Sequence, residues 1–208
     1  MPGFFVSFEG LDGSGKSLML DKAAAMLQER GYQVLCTREP GGSRPGRQMR
    51  QIVLDSPYGT LDPRGEALLF AADRAVHVAQ VIRPALARGE IVLCDRYVDS
   101  SYAYQGGGRE MDIDQVRALN RFATYGLLPD VTFLLDLPAE IALSRLGKSK
   151  DRIEQESLDF FRHTARAYRQ LAAAEPQRFC LIDATVPVEE ESRLINRLLL
   201  QRLTSPQG

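Results

Sequence analysis

The segment GLDGSGKS at positions 10–17 constrains the fold of this chain more than any other part of its sequence. It matches the P-loop pattern, in which glycines let successive backbone N–H groups point at phosphate oxygens. An apolar run, GFFVSFE (3–9), precedes the motif, and a stretch with helical periodicity follows it. Because a helix N-terminus attracts anions, a phosphate site requires this strand–loop–helix order. A chance match in a glycine-bearing turn is the alternative, and the surrounding pattern argues against it.

Within this motif, Lys16 is expected to reach the β- and γ-phosphates of a nucleotide, and the Ser17 hydroxyl to bind Mg²⁺. The apolar residues Leu18, Met19 and Leu20 are interpreted as the core-facing side of the helix. The residues expected to surround the phosphates are Gly10, Leu11, Asp12, Gly13, Ser14, Gly15, Lys16 and Ser17.

Four further apolar runs predict short strands that are buried on both faces. They are YQVLCT (32–37), EIVLCD (90–95), VTFLLD (131–136) and RFCLID (178–183). Helical patterns separate them, which is typical of a mostly parallel sheet covered by helices on both sides. No Pro-, Gly- or Ser-rich linker divides the 208 residues. We therefore predict one α/β domain of the P-loop NTPase type, spanning 1–208, with a five-stranded sheet.

Local signals set the ends of several helices. Asp62 followed by Pro63 predicts an N-cap with proline at the first helical position, and Asp112 with Gln115 resembles a capping box. Pro84 is expected to kink or end the helix that Asp62 begins.

Composition limits the partners and the compartment. The net charge of −1 gives no global field that would attract a nucleic acid polymer or a membrane, so local basic clusters must hold any anion. Cys36, Cys94 and Cys180 are interpreted as buried free thiols in a reducing compartment. The N-terminus shows no signal-peptide pattern, and no apolar run approaches the ~20 residues of a membrane helix. These features predict a cytoplasmic protein.

A P-loop also needs a carboxylate that helps to hold the metal. Asp95 ends the run IVLCD, and open α/β sheets bind ligands at the carboxyl ends of their strands. We predict Asp95 as a Mg²⁺ ligand, with a helix or turn cap as the alternative. Asp136 also ends a strand, but Pro138 follows it, so N-capping is the preferred interpretation there.

Arginines are concentrated between the predicted strands and helices, where planar guanidinium groups suit phosphate oxygens. Those expected at the ligand edge of the sheet are Arg38, Arg44, Arg47, Arg74, Arg96 and Arg109. A further cluster contains Arg145, Lys148, Lys150 and Arg152. Its glycine-bearing sequence LGKSKDR predicts a mobile lid, at about 145–153, that closes over the nucleotide and excludes water.

A GTPase switch is the main alternative from another functional class. Such a protein would carry a guanine-recognition sequence after a late strand, and the sequence after VTFLLD is LPAEIALS. The excess of arginine instead favours phosphoryl transfer to a second phosphate, because several anions must then be neutralised together.

Six segments together identify a resemblance to bacterial thymidylate kinases. After the P-loop come TREPGG (37–42), LLFAADRAVH (68–77), DRYVDSSYAYQG (95–106), PDVTFLLDLP (129–138) and DRIEQE (151–156). The match covers nearly the whole chain. It implies a nucleoside monophosphate kinase fold and transfer of the ATP γ-phosphoryl group to dTMP, with Mg²⁺ as cofactor. A kinase for another nucleoside monophosphate remains the alternative, and the blocks LLFAADR and YAYQG argue against it.

The resemblance also implies how the thymine base is recognised. Phe70 would stack on the ring, and Arg74 would donate a hydrogen bond to O4. Ser101 and Gln105 would complete the base pocket, and Tyr104 would pack against C2′ and disfavour a ribose hydroxyl. Without the resemblance, Phe70 would be interpreted as a core residue of an amphipathic helix.

By the same resemblance, Asp12 would accept a hydrogen bond from the sugar 3′-OH. Arg38 and Arg96 would hold the dTMP phosphate and the transferring phosphoryl group, so both are catalytic candidates together with Lys16. Glu9 would lie close enough to help position Mg²⁺ or water. No acid–base residue is required, because the acceptor phosphate is already ionised.

The sequence departs from the family pattern at three places. Leu18 replaces a second hydroxyl residue after the P-loop Lys, and SRPGR adds two arginines after TREPGG. The lid is about two residues short and carries lysines where arginines are common. Arg145 or Arg152 must therefore serve as the catalytic lid arginine, or Lys148 must substitute for it.

The resemblance implies a homodimer as well. The helices around 62–82 and 112–123 are the candidates for its interface.

Overall fold

The computed structural model describes residues 3–54, 61–147 and 151–204. Within these ranges, five strands form one sheet in the order β2-β3-β1-β4-β5, and every neighbouring pair is parallel. The strands are β1 Phe4–Glu9, β2 Val34–Arg38, β3 Ile91–Asp95, β4 Val131–Asp136 and β5 Phe179–Asp183. The predicted α/β class is confirmed, and the sheet is entirely rather than mostly parallel.

Helices connect the strands. They are α1 Lys16–Glu29, α2 Arg44–Leu54, α3 Pro63–His77, α4 Arg83–Ala87, α5 Val98–Ser101, α6 Ile113–Thr124, α7 Ala139–Arg145, α8 Leu158–Ala174 and α9 Val188–Thr204. Two π-helical segments, Val78–Ile82 and Tyr102–Gly108, follow α3 and α5 without a break. The short helix α5 and the segment after it were not predicted.

The core lies on both faces of the central strands. The rings of Phe8 and Phe133 are 5.5 Å apart, and both side chains are completely buried. From α1, Met19 and Leu20 are buried as expected, but Leu18 is 46% exposed, so its assignment to the core face was wrong. On a helix with 3.6 residues per turn, three consecutive residues cannot all face one side.

The three cysteines are unpaired thiols, as predicted. Cys94 is buried within β3, and Cys180 is half-buried. Cys36 on the edge strand β2 is exposed, so the expectation of burial fails for this residue.

The helix ends agree with the capping signals except at two prolines. The Asp62 carboxylate accepts a hydrogen bond from the Arg64 backbone N–H, which confirms the predicted cap. The helical run continues through Pro84, because the preceding π-helical segment pairs the Arg83 N–H with the Val78 carbonyl.

Asp136 does not cap α7. The helix has Pro138 at its N-cap position, without a capping bond from a side chain. The Asp136 carboxylate instead accepts a hydrogen bond from Arg169 Nε over 2.9 Å, so the N-cap interpretation was wrong.

The parallel register brings the site residues together. Phe8 of β1 lies opposite Asp95 of β3, and Glu9 lies opposite Leu134 of β4. The carboxyl ends of the three central strands therefore form one edge, which is where open α/β sheets bind their ligands. Within the described ranges, no helix is long and apolar enough to cross a membrane.

Candidate active site

The P-loop connects β1 to α1 at this edge. Gly13 has a φ of +82°, and a β-carbon there would lie 2.6 Å from the Ala142 carbonyl oxygen, so only glycine fits. Lys16 is buried, and its Nζ donates a hydrogen bond to the Leu11 carbonyl over 2.8 Å. Burial and the nearby Arg96 lower the pKa of Lys16 to about 8. The Lys16 ammonium group is thus held against the backbone of the P-loop itself.

The two predicted metal ligands are in direct contact. Ser17 Oγ donates to Asp95 Oδ2 over 2.5 Å. Asp95 is the last residue of β3, which lies beside the P-loop strand. Two neighbouring hard oxygens suit Mg²⁺, which commonly binds through one or two protein ligands and keeps water and phosphate for the rest. Among the described residues, no cluster of three or more His, Cys, Asp or Glu side chains could hold a metal alone.

Among the cavities beside the P-loop, two are lined by Asp12, and we call them the inner cavity and the P-loop cavity. Both are open to solvent, and their cavity volumes are about 90 and 260 Å³. The inner cavity is lined by Asp12, Glu39, Pro40, Arg50, Leu54, Phe70, Arg74, Arg96, Ser100, Ser101, Tyr104, Gln105, Asp151 and Ile153. The P-loop cavity is lined by Asp12, Gly13, Gly15, Lys16, Ser17, Leu18, Arg38, Glu39, Arg50, Asp95 and Arg96. Asp12, Glu39, Arg50 and Arg96 line both, so the cavities meet at four charged residues.

Arg96 is fixed at this junction by its backbone and its side chain. Its φ of +70° is rare outside glycine, and such strain is concentrated at functional sites. Its guanidinium donates to the Gly10 carbonyl over 3.0 Å, to Asp12 Oδ1 over 2.6 Å and to Tyr104 Oη over 3.1 Å. Arg96, which directly follows the predicted metal ligand Asp95, is thereby directed across the P-loop.

Asp12 is the acidic partner of Arg96. Burial would raise the pKa of Asp12, but Arg96 and Lys16 together with hydrogen bonds from Arg96 and Tyr104 hold it below its usual range. Tyr104 Oη donates to Asp12 Oδ2 over 2.9 Å. The carboxylate is therefore an ionised acceptor that faces both cavities.

Glu9 lies behind Arg96 and lines neither cavity. Its carboxylate is fully buried and accepts hydrogen bonds from the Tyr97 backbone N–H (2.7 Å), Ser100 Oγ (2.6 Å) and Tyr168 Oη (2.9 Å). Burial and the charge of Asp99 raise the pKa of Glu9 to about 7. Glu9 was expected to help position Mg²⁺ or water. The structure instead places it behind Arg96, because the Ser100 and Tyr168 hydroxyls that bond to Glu9 also bond to the Arg96 guanidinium.

Arg74 forms the floor of the inner cavity and is only 2% exposed. Its Nε donates to Glu39 Oε2 over 2.6 Å, one terminal nitrogen donates to Ser101 Oγ and Asn120 Oδ1, and the other to the Tyr97 carbonyl. These bonds use four of the five N–H groups of a guanidinium. One donor therefore remains for a group in the cavity.

Glu39, which holds Arg74, is itself held by a buried histidine. His77 Nδ1 lies 2.9 Å from Glu39 Oε1, and His77 Nε2 lies 2.7 Å from Thr37 Oγ1. This chain of contacts connects the end of β2 with α3. It fixes the direction of the Arg74 guanidinium relative to the phosphate side of the site.

The remaining base-pocket candidates also line the inner cavity. Phe70 on α3 is half-buried, and its side chain forms part of the cavity wall. Ser101 and Gln105 lie on consecutive helical turns after β3, and both are buried. The Gln105 amide donates to Glu66 Oε1 over 2.8 Å.

Arg152 does not point into either cavity. Its Nε donates to the Val53 carbonyl over 3.0 Å, and its terminal nitrogen forms a 2.6 Å ion pair with the buried Glu66. Its backbone N–H donates to the Leu54 carbonyl. Arg152 therefore attaches the segment after the predicted lid to α2 and α3, which does not fit a catalytic lid arginine.

The other predicted basic residues divide into two groups. Arg38 is exposed in the P-loop cavity, and among the described residues none pairs with its guanidinium. Within the described part of the chain, the hydrogen bonds of Arg145 are all long, to the Gly13 carbonyl at 3.5 Å and to the Ala184 carbonyl at 3.4 Å. Arg44 and Arg47 are exposed on α2 and line neither cavity, so their placement at the ligand edge was wrong.

Arg109 also lies away from both cavities, paired with Glu66 and Glu156. Lys148 and Lys150 of the predicted lid lie outside the described residues.

Some charged residues at or behind the site were not predicted, among them Arg50, Glu39 and Glu66. Arg50 donates to the Pro40 carbonyl over 3.1 Å and reaches both cavities. Glu39 belongs to the segment TREPGG. Its position at the end of a predicted strand, between Arg38 and Pro40, could have indicated a site residue. Glu66 lies in a helical pattern that gives no sign of its burial.

Comparison with known proteins agrees with this geometry. A family model described as thymidylate kinase matches residues 8–195. The chain is 53% identical to a thymidylate kinase of Leifsonia xyli subsp. xyli, over 91% of this chain and 90% of that protein. It is 50% identical to those of Bifidobacterium longum (91% and 93%) and Desulfovibrio desulfuricans (89% and 90%). The chain therefore belongs to the thymidylate kinase family, the phosphotransferases that phosphorylate dTMP.

Proposed function

We propose that the chain transfers the γ-phosphoryl group of ATP to the phosphate of dTMP at the junction of the two cavities, giving dTDP and ADP. The observation that carries this proposal is the meeting of the P-loop cavity with the inner cavity at Asp12, Glu39, Arg50 and Arg96. A nucleotide in each cavity would bring its phosphates to these residues. Positioning and charge neutralisation then supply the catalysis.

The inner cavity suits thymine. Phe70 offers an aromatic face, and the free N–H of Arg74 offers one directional donor for O4. Ser101 supports Arg74 from behind, since its hydroxyl accepts a hydrogen bond from the guanidinium over 2.8 Å. Gln105 supplies an amide at the same wall of the cavity.

The sugar would lie at Asp12 and Tyr104. An ionised carboxylate has about four acceptor positions, and Arg96 and Tyr104 use two of those of Asp12, so it can still accept a bond from the 3′-OH. The ring of Tyr104 is buried at the same wall, which favours a deoxyribose over a ribose.

The phosphate groups would be held by Lys16, Arg38, Arg50 and Arg96. Planar guanidinium groups bind phosphate oxygens in pairs, and three of these four residues are arginines. Ser17 and Asp95 would hold Mg²⁺, which would neutralise the β- and γ-phosphate oxygens during transfer. Glu9 would act through Arg96, because Ser100 bonds to both residues.

Of the predicted lid residues, Arg145 is the one that fits contact with ATP. It is exposed beside the P-loop, and its hydrogen bonds to the Gly13 and Ala184 carbonyls are long, at 3.5 and 3.4 Å. Arg152 would instead hold the C-terminal side of the lid in place through Glu66.

A homodimer would cover an apolar surface on α3 and α6. These helices pack against each other and expose Leu68 (57%) and Phe122 (82%), with Tyr125 (82%) at the end of α6. Large exposed apolar patches mark interaction surfaces. Leu68 and Phe122 lie on the two helices that were the candidates for the dimer interface.

The acceptor is tested by coupled ADP release with dTMP, dUMP, dCMP, dGMP and UMP. The proposal predicts the highest kcat/KM for dTMP. Equal rates with all five acceptors would reject it, and ATP binding without transfer to any acceptor would favour a nucleotide-binding switch.

A further inference from the structure

The Gln105 side chain can present either its N–H₂ group or its carbonyl oxygen to the inner cavity, and its surroundings decide which. The residue is 2% exposed and lines that cavity. Its Nε2 donates to Glu66 Oε1 over 2.8 Å. Among the described residues, no donor bonds to the side-chain carbonyl oxygen of Gln105.

Glu66 can only accept at this contact. It is completely buried on α3, where Arg109 donates to both of its oxygens (3.2 and 3.0 Å) and Arg152 pairs with Oε2 at 2.6 Å. Burial would raise the pKa of Glu66, but its hydrogen bonds to Arg109, Gln105 and Arg152 and the charge of Arg109 keep it below its ordinary value. An ionised carboxylate has no proton to donate.

The amide is consequently locked in one orientation. A flipped amide would place its carbonyl oxygen against the Glu66 carboxylate and leave two acceptors facing each other in a buried position, which is costly. Glu66 takes one N–H of the amide, and the side-chain carbonyl of Gln105 is therefore the acceptor that it offers to a molecule in the inner cavity.

We propose that Glu66 is a specificity-determining residue that acts through Gln105, by forcing its side-chain carbonyl oxygen towards the base of the acceptor nucleotide. This inference rests on the proposed function. The cavity then offers an acceptor at Gln105 and a donor at Arg74. Thymine matches this pair with its N3–H donor and O4 acceptor. Cytosine presents an unprotonated N3 and an amino group in those positions, so it is mismatched at both.

The Glu66→Gln variant tests this role. The amide that this substitution introduces can offer either a donor or an acceptor, so both orientations of Gln105 become possible. We expect the ratio of kcat/KM for dTMP to that for dCMP to fall about tenfold or more, mainly through a higher KM for dTMP, with the KM for ATP changed less than about twofold. An unchanged ratio would overturn the inference.

Glu156→Gln is the matched control. Glu156 pairs with Arg109 at 2.6 Å, so this variant disturbs the same ion cluster with the same substitution but leaves the contact between Glu66 and Gln105 in place. Its ratio should stay within about twofold of the wild type. An equal fall in both variants would mean that general loosening of the cluster, rather than the amide orientation, controls the ratio, and would also overturn the inference.

A double-mutant cycle separates a direct effect from one through Gln105. In a Gln105→Ala background, Glu66→Gln should leave the ratio unchanged, and a further fall would contradict the proposed route. Because a ratio of two kcat/KM values is independent of the concentration of folded enzyme, an incompletely folded variant still reports on it. Wild-type protein without a dTMP preference would reject the proposed function instead.

Discussion

Arg96 donates a hydrogen bond to Asp12 Oδ1 over 2.6 Å at the point where the inner and P-loop cavities meet. The contact joins the residue after β3 to the middle of the P-loop, so the element that would hold ATP also directs the arginine that would hold the transferring group. Tyr104 completes the arrangement by bonding to both residues. A cation fixed in this way needs little reorganisation when charge develops during transfer.

Replacement of Arg74 should affect both stability and dTMP binding. Arg74→Ala leaves Glu39 buried without its main cation, which costs about 3–5 kcal/mol when a buried pair is broken. The KM for dTMP should rise about tenfold or more, and that for ATP far less, because the proposed contact is with the base.

Chemical denaturation and steady-state kinetics measure these two effects. Arg64→Ala is the control on the same helix, since the Arg64 side chain is 82% exposed. Equal increases in the KM of dTMP and ATP would contradict the base contact.

Glu9 should make the stability depend on pH. Its pKa is raised from 4.5 to about 7, so the folded protein keeps a proton that the unfolded chain releases between these values. The destabilisation caused by its buried charge is therefore absent at low pH and complete above about pH 7. Glu9→Gln removes that charge, so the free energy of unfolding of the variant minus that of the wild type should increase from pH 5 to pH 8, by up to about 3 kcal/mol.

Urea denaturation at several pH values checks this sign. The exposed Glu140→Gln should show no such trend with pH in this range. A difference for Glu9→Gln that decreases with pH would contradict the burial argument.

Removal of the Asp95 carboxylate should weaken metal use. Asp95→Asn is expected to raise the Mg²⁺ concentration for half-maximal velocity about tenfold, because a charged ligand is replaced by a neutral one. Asp136→Asn is the matched control at the end of β4, where the carboxylate pairs with Arg169 instead. Similar Mg²⁺ titrations for wild type and Asp95→Asn would reject the ligand role.

The proposed role of the exposed apolar residues of α3 and α6 in dimerisation can be tested by introducing a charged side chain. Phe122→Asp should shift a dimer towards monomer in sedimentation velocity, because the carboxylate would be buried in the interface. Leu181→Asp, at a 57% exposed position on β5, should leave the distribution unchanged. A wild-type protein that sediments as a monomer throughout would contradict the dimer.

The sequence was sufficient for features that depend on neighbours along the chain. The P-loop, the five apolar strands and the cap at Asp62 are encoded in short windows, and all were predicted. The segment Tyr102–Gly108 was not, because it depends on packing against α8. A β-carbon at Gly108 would lie 2.6 Å from Thr164 Oγ1, a contact between residues far apart in sequence.

The site shows the same limit. Asp95 was predicted from its place at a strand end and Asp12 from the family resemblance, and the structure places both in the lining of the P-loop cavity. The arginines could not be sorted by sequence alone, because Arg50 and Arg47 belong to one helix and only Arg50 reaches the cavities. Arg152 was predicted as a candidate lid arginine, but its contacts with Glu66 and Val53 depend on the tertiary structure and could not be predicted from the sequence.

The most direct test of the central claim is the kcat of Arg96→Ala with saturating ATP and dTMP. If phosphoryl transfer occurs at the junction, kcat should fall about 10²- to 10³-fold while the KM values change by a few-fold only, because the contact strengthens as charge develops. Arg162→Ala, an exposed arginine on α8, should retain the wild-type kcat. An unchanged kcat for Arg96→Ala would contradict the account.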